Sequence, residues 1–225
     1  MLKIYTLSFK ELAWTQSDSF LLSFVSEERR NRILKFKFDI DKKLSLYAAL
    51  LTKMKISNWT EINVAQLSFG RNYMGKPILL SAPEIHFNFS HTHCFVLLGI
   101  SNSIEIGVDV EKIRKAPLEI ADKVFHPKEK EYIFNTSKEK QNLRFYRIWT
   151  QKEAFTKQSG TGLSCNLTEL NMLDPLISPF FYNWQSIDYM CSIYVPTQII
   201  MTCEAIQLND IINYYKEYLD AFMIH

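Results

Sequence analysis

The sequence predicts an α+β protein made of two halves, each of which contains both strands and helices. In the first half, the alternating segment Ile85–Ser90 and the apolar segment Cys94–Ile100 follow each other with no helix between them, which predicts an antiparallel hairpin. In the second half, a long helical pattern over Lys138–Ser159 precedes three strand-like segments. The halves join near Asn102–Ile104, so the predicted division of the chain is 1–103 and 104–225.

The composition argues against several classes of protein. The chain of 225 residues has a net charge of +2, which gives no general attraction for nucleic acid. Its four cysteines are widely separated and form no C-x-x-C pair, which favours a reducing compartment over a disulfide framework or a zinc site. The N-terminal segment lacks the apolar core of a signal peptide, and no apolar run is long enough to span a membrane. We therefore expect a soluble, cytoplasmic protein.

The elements of the first half follow from alternation, helix caps and turn residues. Leu2–Phe9 alternates in polarity and predicts an opening strand, and helices are expected from about Asp18 and after the N-cap Ser26. Asp41 is the predicted cap of a helix with the apolar stripe Leu44, Tyr47, Leu51 and Met54. A short strand and two turns follow, at Gln66–Phe69, Gly70–Asn72 and Gly75–Pro77.

The second half opens with a strand at Ile104–Glu111. Pro117–Phe125 predicts a short helix, and Pro127 begins another one ahead of the long helix. The three strand-like segments after the long helix are Phe180–Trp184, Ile187–Val195 and Gln198–Ile206. The chain ends in a predicted amphipathic helix with the stripe Ile212, Tyr215, Leu219 and Phe222.

The second half of the long helix carries charges beside aromatic residues. Its buried stripe is predicted to contain Phe145, Ile148, Trp149 and Phe155. Gly160 is the expected left-handed C-cap, and Gly162 continues the break. Glu153 and Lys157 are four residues apart, so one interpretation is an ordinary surface ion pair. The other is a site for a metal ion and phosphate, in which Lys152 and Lys157 flank the carboxylate.

Two acids lie on one face of the strand Ile104–Glu111. Its apolar residues Ile106, Val108 and Val110 point to one side, whereas Asp109 and Glu111 point to the other. Neighbouring carboxylates raise each other's pKa unless a positive charge lies between them. The alternatives are an exposed strand face and a site for a hard divalent cation such as Mg2+, which prefers oxygen ligands.

Two groups in the first half are candidates for binding an anion. The basic run that begins at Arg29 is either a solvated helix face or an anion site, since Arg29 and Arg32 lie three residues apart. His91 and His93 could chelate a metal, but no third ligand lies nearby, so a place beside a phosphate suits His91 better. Nucleic-acid binding would rest on the basic run alone, without a stacking platform. A site that uses both halves belongs in the cleft between them.

Two motifs, in this order, resemble the signatures of the Sfp-type 4'-phosphopantetheinyl transferases. The segment GVDVE at Gly107–Glu111 matches the GxDxE signature, and WTQKEAFTK at Trp149–Lys157 matches WxxKEAxxK. Further segments that fit the family are Gly75–Pro77, Phe89–His91 and Phe125–Glu129. The resemblance covers nearly the whole chain, and both signatures in order are more specific than either one alone.

The resemblance implies a fold and an activity. The family fold is a pseudo-twofold pair of similar α+β halves in one chain, with the active site in the cleft between them. The reaction transfers the 4'-phosphopantetheine group of coenzyme A (CoA) to a serine hydroxyl of an apo carrier protein and releases adenosine 3',5'-bisphosphate. It depends on Mg2+ and commonly serves nonribosomal peptide, polyketide or siderophore biosynthesis.

The resemblance also implies roles for individual residues. Asp109, Glu111 and Glu153 would hold Mg2+, and Glu153 would also accept the proton of the serine. Lys157 would be catalytic with Glu153 by offsetting charge on the phosphates, and Lys152 would assist. The residues implied to bind CoA are Arg29, Arg32, Ser45, Lys76, Ser90, His91, Asp109, Lys152 and Lys157. A further acid of the family pattern, Glu129, could have a structural role.

Two other classes of function remain as alternatives. One is a non-catalytic module of the same fold that binds carrier proteins or CoA, against which the complete set of Asp109, Glu111, Glu153 and Lys157 argues. The other is an unrelated Mg2+-dependent phosphohydrolase, but the chain lacks the Gly-rich phosphate loop of many such enzymes. The two fused halves supply the composite site that shorter relatives build by oligomerising, so we expect a monomer.

Overall fold

The computed structural model describes residues 1–160 and 165–223, in which groups of helices and groups of strands follow one another along the chain. The strands are β1 (Leu2–Ser8), β2 (Phe69–Arg71), β3 (Pro77–Leu79), β4 (His86–Thr92), β5 (Phe95–Ser101), β6 (Gly107–Lys112), β7 (Phe181–Ser186), β8 (Tyr189–Tyr194) and β9 (Met201–Ile206). The helices are α1 (Gln16–Leu21), α2 (Glu27–Leu34), α3 (Asp39–Thr60), α4 (Ala121–Val124), α5 (Pro127–Phe134), α6 (Lys138–Ser159) and α7 (Leu208–Met223). Short 3₁₀ turns lie at Leu22–Phe24, Leu118–Ile120 and Ser178–Phe180.

A four-stranded sheet with the order β4-β5-β1-β9 forms the centre of the first half. β4 and β5 form the predicted antiparallel hairpin, and β1 runs antiparallel to β5. Residues along β1 alternate between two cores: Tyr5 and Leu7 pack with α3, whereas Leu2 and Ile4 pack against the second sheet. The strand is therefore buried on both faces, which explains its largely apolar sequence.

A three-stranded sheet with the order β6-β8-β7 repeats this arrangement in the second half. In each half, the opening strand (β1 or β6) pairs antiparallel with the second strand of a later hairpin (β5 or β8). A helix of 22 residues, α3 or α6, lies between them in the sequence. The predicted apolar residues Ile106, Val108 and Val110 pack in one core with Leu2 and Ile4. The repeat confirms the expected α+β fold with two similar halves.

The last strand and helix return to the first half. β9 pairs in parallel with β1, and α7 lies against α3, where the hydroxyl of Tyr215 donates to the carbonyl of Leu50 at 2.9 Å. The predicted division between residues 103 and 104 separates the two sheets, but residues 201–223 pack with the first one. Among the helices described, none combines the length and the apolar character that a membrane-spanning segment requires.

Helix ends agree with the sequence in part. The predicted bounds of α6 are the observed ones, and Gly160 follows it with a φ of 76°, in the left-handed region. Gly162 lies outside the described residues. Helix α3 begins at Asp39 rather than after the predicted cap Asp41, which lies in its first turn. Asp39 accepts a hydrogen bond from the Trp14 N–H at 3.0 Å, and this contact holds the preceding loop to the helix start.

The hairpin of β2 and β3 corrects the predicted turn at Gly70–Asn72. Gly70 lies within β2, and the turn instead begins at Asn72. The side-chain oxygen of Asn72 accepts the N–H groups of Met74 and Lys76, both at 3.0 Å. This local hydrogen bonding favours asparagine as the first residue of a turn, so the turn falls after the strand and not within it.

Strand β6 lies very close to helix α6 at Gly107. A Cβ atom placed on Gly107 would lie 1.8 Å from the carbonyl oxygen of Ala154 and 2.6 Å from the nitrogen of Gln158. Ala154 is fully buried and adds only a methyl group on the helix side. The glycine of the first motif and the alanine of the second therefore serve one contact, which sets how far the strand's acids are from the helix.

Each half contains a buried ion pair that links a short helix to its 22-residue helix. Asp18 pairs with Lys43 at 3.3 Å in the first half, and Glu129 pairs with Lys152 at 2.8 Å in the second. Both acids also close capping boxes, at the starts of α1 and α5. All four side chains are at most 1% exposed.

The position of Lys152 corrects the expected contact with the phosphates of CoA. Besides pairing with Glu129, its ammonium donates to the carbonyls of Leu167 at 2.8 Å and Leu170 at 2.6 Å. Its three protons thus have three acceptors within the protein. Lys152 holds α5 and the 167–170 segment onto α6, and Glu129 has the structural role that was considered for it.

Replacing Gly107 with alanine is expected to destabilise the protein by about 3 kcal/mol, since the new methyl group would overlap the backbone of α6. Urea unfolding measures the loss. Gly70→Ala is the matched control, because its Cβ would meet the end of the exposed Leu80 side chain at 3.1 Å, which can move aside. Equal losses in the two variants would contradict the close strand–helix contact.

Lys152→Met is expected to lower the free energy of unfolding by about 3–5 kcal/mol, because it leaves the buried Glu129 without its cation. The double variant Glu129→Gln/Lys152→Met should recover part of this loss. Lys130→Met is the control: it removes a surface pair with Asp122, which is worth at most about 1 kcal/mol. Similar losses for the two lysine variants would argue against a structural role for Lys152.

Candidate active site

Several of the predicted site residues gather where the edges of the two sheets meet, at β4 and β6. We call this contact the strand junction. In the described residues, no backbone pairing joins the two strands. Instead, side chains at every second position of β4 bond to β6. The three bonds are Val108 N–H to Asn88 Oδ1 at 2.9 Å, Ser90 Oγ to Asp109 Oδ1 at 2.8 Å and Thr92 Oγ1 to Glu111 Oε2 at 3.3 Å.

Asp109 is the centre of the junction. Its side chain is buried, and its Oδ1 atom accepts hydrogen bonds from Ser90 and from the Lys157 ammonium, which also donates to Ser90 at 3.0 Å. Lys157 therefore reaches from α6 across to the strand. The interpretation of Lys157 as the partner of a surface pair with Glu153 is wrong, since its ion pair is with Asp109.

The second oxygen of Asp109, Oδ2, is buried and has no hydrogen-bond partner among the described residues. An unpartnered buried carboxylate oxygen is costly, so its presence calls for a cation or a donor that the protein itself does not supply. Near it, burial raises the pKa of Glu153, and the charge of Asp109 raises it further. The same two causes, in the same order, raise the pKa of Glu111.

Donors from β4 and from the second motif hold Glu111 in place. Thr92 of β4 and Trp149 of α6 each hydrogen-bond its carboxylate and thereby oppose the rise in its pKa. The tryptophan of the second motif thus supports an acid of the first. This contact could not be read from the sequence, in which Trp149 was expected only in the buried stripe.

These carboxylates fit a hard divalent cation. They offer oxygen ligands only, one oxygen of Asp109 is unpartnered, and the charge of Asp109 disfavours ionisation of both glutamates. Within residues 1–160 and 165–223, no three such side chains already converge on one point. Mg2+ does not require three converging side chains, because it is commonly held by one or two carboxylates together with water and substrate phosphates.

A cleft of about 820 Å³ opens beside the junction in the first half, and we call it the arginine cleft. Four cationic side chains and one carboxylate line it: Arg29, Arg32, Lys53, Arg71 and Glu28. Phe69, Phe87 and Phe89 form apolar walls. A cationic cleft with aromatic walls suits a ligand that carries both phosphate and a flat ring.

His91 links the arginine cleft to the junction. Its ring stacks on Phe89, with the ring centroids 6.4 Å apart, and part of its surface stays open to solvent. Desolvation lowers the pKa of His91, and the charge of Lys157 lowers it further, followed by those of Arg29 and Arg32. The imidazole therefore lies among cations of both halves, where an anion would be attracted by all of them.

Two predicted CoA-binding residues lie elsewhere than expected. The Lys76 ammonium donates to Glu105 Oε2 at 3.0 Å, to the Ile106 carbonyl at 3.4 Å and to the Gln158 carbonyl at 2.8 Å, so it fastens the β2–β3 hairpin to the second half. Ser45 is 4% exposed on α3 and is not among the described residues that line the arginine cleft.

The sequence did not single out two cations of the cleft, Lys53 and Arg71. Lys53 lies in the interior of α3, where its ammonium donates to the Phe24 carbonyl at 2.8 Å. Arg71 was expected within a turn, without a role. The one available signal was its positive charge at a position five residues before Lys76. Lys76 belongs to the segment Gly75–Pro77, which fits the family.

Comparison with known proteins agrees with this geometry. The family model described as the 4'-phosphopantetheinyl transferase superfamily matches residues 105–203, and the model for the N-terminal part of 4'-phosphopantetheinyl transferase matches residues 13–103. The 4'-phosphopantetheinyl transferase ffp of Bacillus subtilis is 34% identical over 76% of each chain. The 4'-phosphopantetheinyl transferase Sfp of Bacillus subtilis (strain 168) is 30% identical over 76% of each chain.

A more distant mammalian relative is also similar. The L-aminoadipate-semialdehyde dehydrogenase-phosphopantetheinyl transferase of Mus musculus is 26% identical over 65% of this chain and 52% of its own. The similarity thus extends across the strand junction and the arginine cleft and includes the chains of both bacterial relatives over most of their length. This chain belongs to the Sfp-type 4'-phosphopantetheinyl transferase family.

Proposed function

We propose that the protein transfers the 4'-phosphopantetheine group of CoA to a serine hydroxyl of an apo carrier protein and releases adenosine 3',5'-bisphosphate. Family membership supports the class of reaction. The observation that carries the proposal is the buried Asp109, held between the two halves by Ser90 and Lys157 with one oxygen unpartnered. A module that only binds a partner has no need for this arrangement of charges.

The nucleotide end of CoA is proposed to lie in the arginine cleft. Arg29 and Arg32 would bind the 3'-phosphate, with guanidinium groups suited to paired hydrogen bonds with phosphate oxygens. The charges of Lys157, Arg29 and Arg32 all act on His91, so it would help to bind the same phosphate group. The pyrophosphate would then lie toward the strand junction, where Lys157 would offset its charge.

Asp109, Glu111 and Glu153 are proposed to hold Mg2+. The metal, when bound, would neutralise the pyrophosphate and help to orient it. Lys157 is bonded to Asp109 Oδ1, so the unpartnered Oδ2 atom is the one available to a metal. Burial and, second to it, the charge of Asp109 raise the pKa of both glutamates. A cation at this place would offset the repulsion from Asp109.

Glu153 is proposed as the general base. The serine oxygen of the carrier attacks the phosphorus that bears pantetheine, its proton passes to Glu153, and the bond to the other phosphate breaks. A carboxylate positioned to take the proton of the attacking hydroxyl is a common general base. The position of Glu153 on α6, one turn before Lys157, places base and cation on the same side of the helix.

The acceptor is proposed to be a carrier domain of nonribosomal peptide, polyketide or siderophore biosynthesis. Such domains are generally acidic around the target serine, so a basic or apolar rim of the site would suit them. We further propose a cytoplasmic monomer, since the scattered cysteines favour a reducing compartment and one chain contributes both sides of the junction. Gel filtration that gave a stable oligomer would contradict the monomer.

The first experiment mixes the protein with CoA, Mg2+ and an apo peptidyl carrier domain and measures the intact mass of the carrier. We expect an added phosphopantetheine group, which is lost with EDTA. Glu153→Gln is expected to reduce the rate by about 10²–10⁴-fold, the usual contribution of a general base. Glu139→Gln, an exposed residue at the start of the same helix, should leave the rate unchanged.

Two results would separate the alternatives. If neither a peptidyl nor a fatty-acid carrier is modified while CoA still binds, the protein is a binding module. If Glu153→Gln retains the full rate, Glu153 is not the base, and the transfer needs another proton acceptor.

Glu153→Gln is also expected to stabilise the metal-free protein at neutral pH. Burial and the charge of Asp109 raise the pKa of Glu153 above its ordinary 4.5, so the ionised form is disfavoured in the folded state. Ionised Glu153 therefore destabilises the fold above its raised pKa, and this effect vanishes below the ordinary value, where both states are protonated.

Thermal unfolding in EDTA measures this effect. Near pH 8 the variant should have the higher Tm, by about 2–4 °C for each kcal/mol in a protein of this size, and the two curves should converge near pH 4. Glu131→Gln, at an exposed residue of α5, serves as the control. A variant that is less stable than the parent near pH 8 would show that the ionised carboxylate has favourable contacts in the fold.

A further inference from the structure

We infer that two hydroxyl groups of β4, those of Ser90 and Thr92, make the site select Mg2+ over the larger Ca2+. Each hydroxyl holds one oxygen of an acid on β6, so ligation of a metal ion through both oxygens of that acid has to compete with a hydrogen bond. The inference rests on the proposed function and deepens it, because it concerns the choice of metal ion. Thr92 lies outside both motifs.

Ser90 limits Asp109 to one available oxygen. The serine hydroxyl donates to Asp109 Oδ1 at 2.8 Å and accepts a hydrogen bond from the Lys157 ammonium at 3.0 Å. Lys157 also pairs with the same Oδ1 atom, so both lone-pair directions of this oxygen are used. The Oδ2 atom is buried and has no partner among the described residues, so it is the oxygen left for a cation.

Thr92 acts in the same way on the next acid of the strand. Its hydroxyl donates to Glu111 Oε2 at 3.3 Å, and the indole N–H of Trp149 donates to the same carboxylate. Ser90 and Thr92 are two residues apart, as are Asp109 and Glu111, so the two hydroxyls lie opposite the two acids in register. A metal ion that used both oxygens of Glu111 would compete with at least one of these donors.

The two metal ions differ in what they require from a carboxylate. Mg2+ is small, demands a nearly ideal octahedral arrangement at about 2.0–2.1 Å and keeps several waters, so one oxygen from each acid is sufficient. Ca2+ takes about 6–8 oxygen ligands at about 2.3–2.6 Å and commonly uses both oxygens of a carboxylate. Acids that offer one oxygen each therefore suit Mg2+ and leave Ca2+ short of ligands.

Binding of CoA makes Ser90 more important for this restriction. Lys157 is proposed to offset the charge of the pyrophosphate, and this would draw its ammonium away from Asp109. Ser90 is then the donor that remains on the Oδ1 atom. The complex with CoA is thus the state in which the loss of the serine hydroxyl should change the choice of metal ion most.

Calorimetric titration of the CoA-bound, metal-free protein with MgCl2 and with CaCl2 tests the inference, with CoA alone as the blank. The parent should bind Mg2+ more tightly. Ser90→Ala is expected to lower the ratio of Kd for Ca2+ to Kd for Mg2+ by about tenfold, since it removes a hydrogen bond to a charged group. Thr92→Val leaves the Trp149 donor in place, so it should lower the ratio by about threefold.

Two further variants serve as controls. Thr92→Ser keeps the hydroxyl and should keep the ratio of the parent. Thr202→Val makes the same change as Thr92→Val at an exposed residue of β9, at the opposite edge of the sheet from β4, and should also leave the ratio unchanged. If Ser90→Ala weakens the binding of both metal ions equally, Ser90 supports the fold only, and the inference is wrong.

The titration involves neither a carrier nor turnover, so it is separate from the proposed transfer reaction. If no carrier is ever modified but the ratio of the two Kd values changes as expected, the transferase proposal fails and the role of the two hydroxyls stands. If a carrier is modified but the variants keep the ratio of the parent, the inference fails by itself. A parent that binds both metal ions equally, or neither of them, would also overturn it.

Discussion

The close packing of β6 against α6 is the constraint on which the site depends. Gly107 has no room for a side chain because the carbonyl of Ala154 lies where its Cβ would be. This contact brings Asp109 within reach of Lys157 and Glu111 within reach of Trp149. Two motifs that lie far apart in the sequence are thus two sides of one backbone contact. The motif glycine serves packing, while the acids that follow it point into the strand junction.

Buried charges have two separate uses in this protein. At Glu129 and Lys152 every oxygen and every ammonium proton has a partner, so the pair fixes the arrangement of α5 and α6. At Asp109 the Oδ2 atom has no partner among the described residues. Burial and the charge of Asp109 raise the pKa of the nearby Glu153. A complete set of partners indicates structure, and an incomplete set indicates a place for a ligand.

The sequence predicted the local features well and the long-range contacts poorly. The alternation of β6, the bounds of α6 and the left-handed Gly160 follow from short-range patterns that no distant residue alters. Lys152 shows the limit: its partner Glu129 is on another helix. Successive residues of a helix are turned by about 100° around its axis, so Lys152 and Lys157 could not both lie on the side of Glu153. The helical pattern alone does not show which of the two lysines faces a buried acid. Arg71 was missed because only the folded hairpin brings it to Arg29.

The repeat of the fold raises the question of how many strand junctions one chain contains. Since β7 corresponds to β4 and β1 to β6, a symmetric molecule would have a second junction, between β7 and β1. The free edge of β1 is instead covered by β9, whose backbone pairs with it from Leu2 to Leu7. The chain's final strand thus closes the duplicate edge. Of the two equivalent edges that the repeat supplies, only that of β6 meets a hairpin edge of the other half, so the described residues form one junction rather than two.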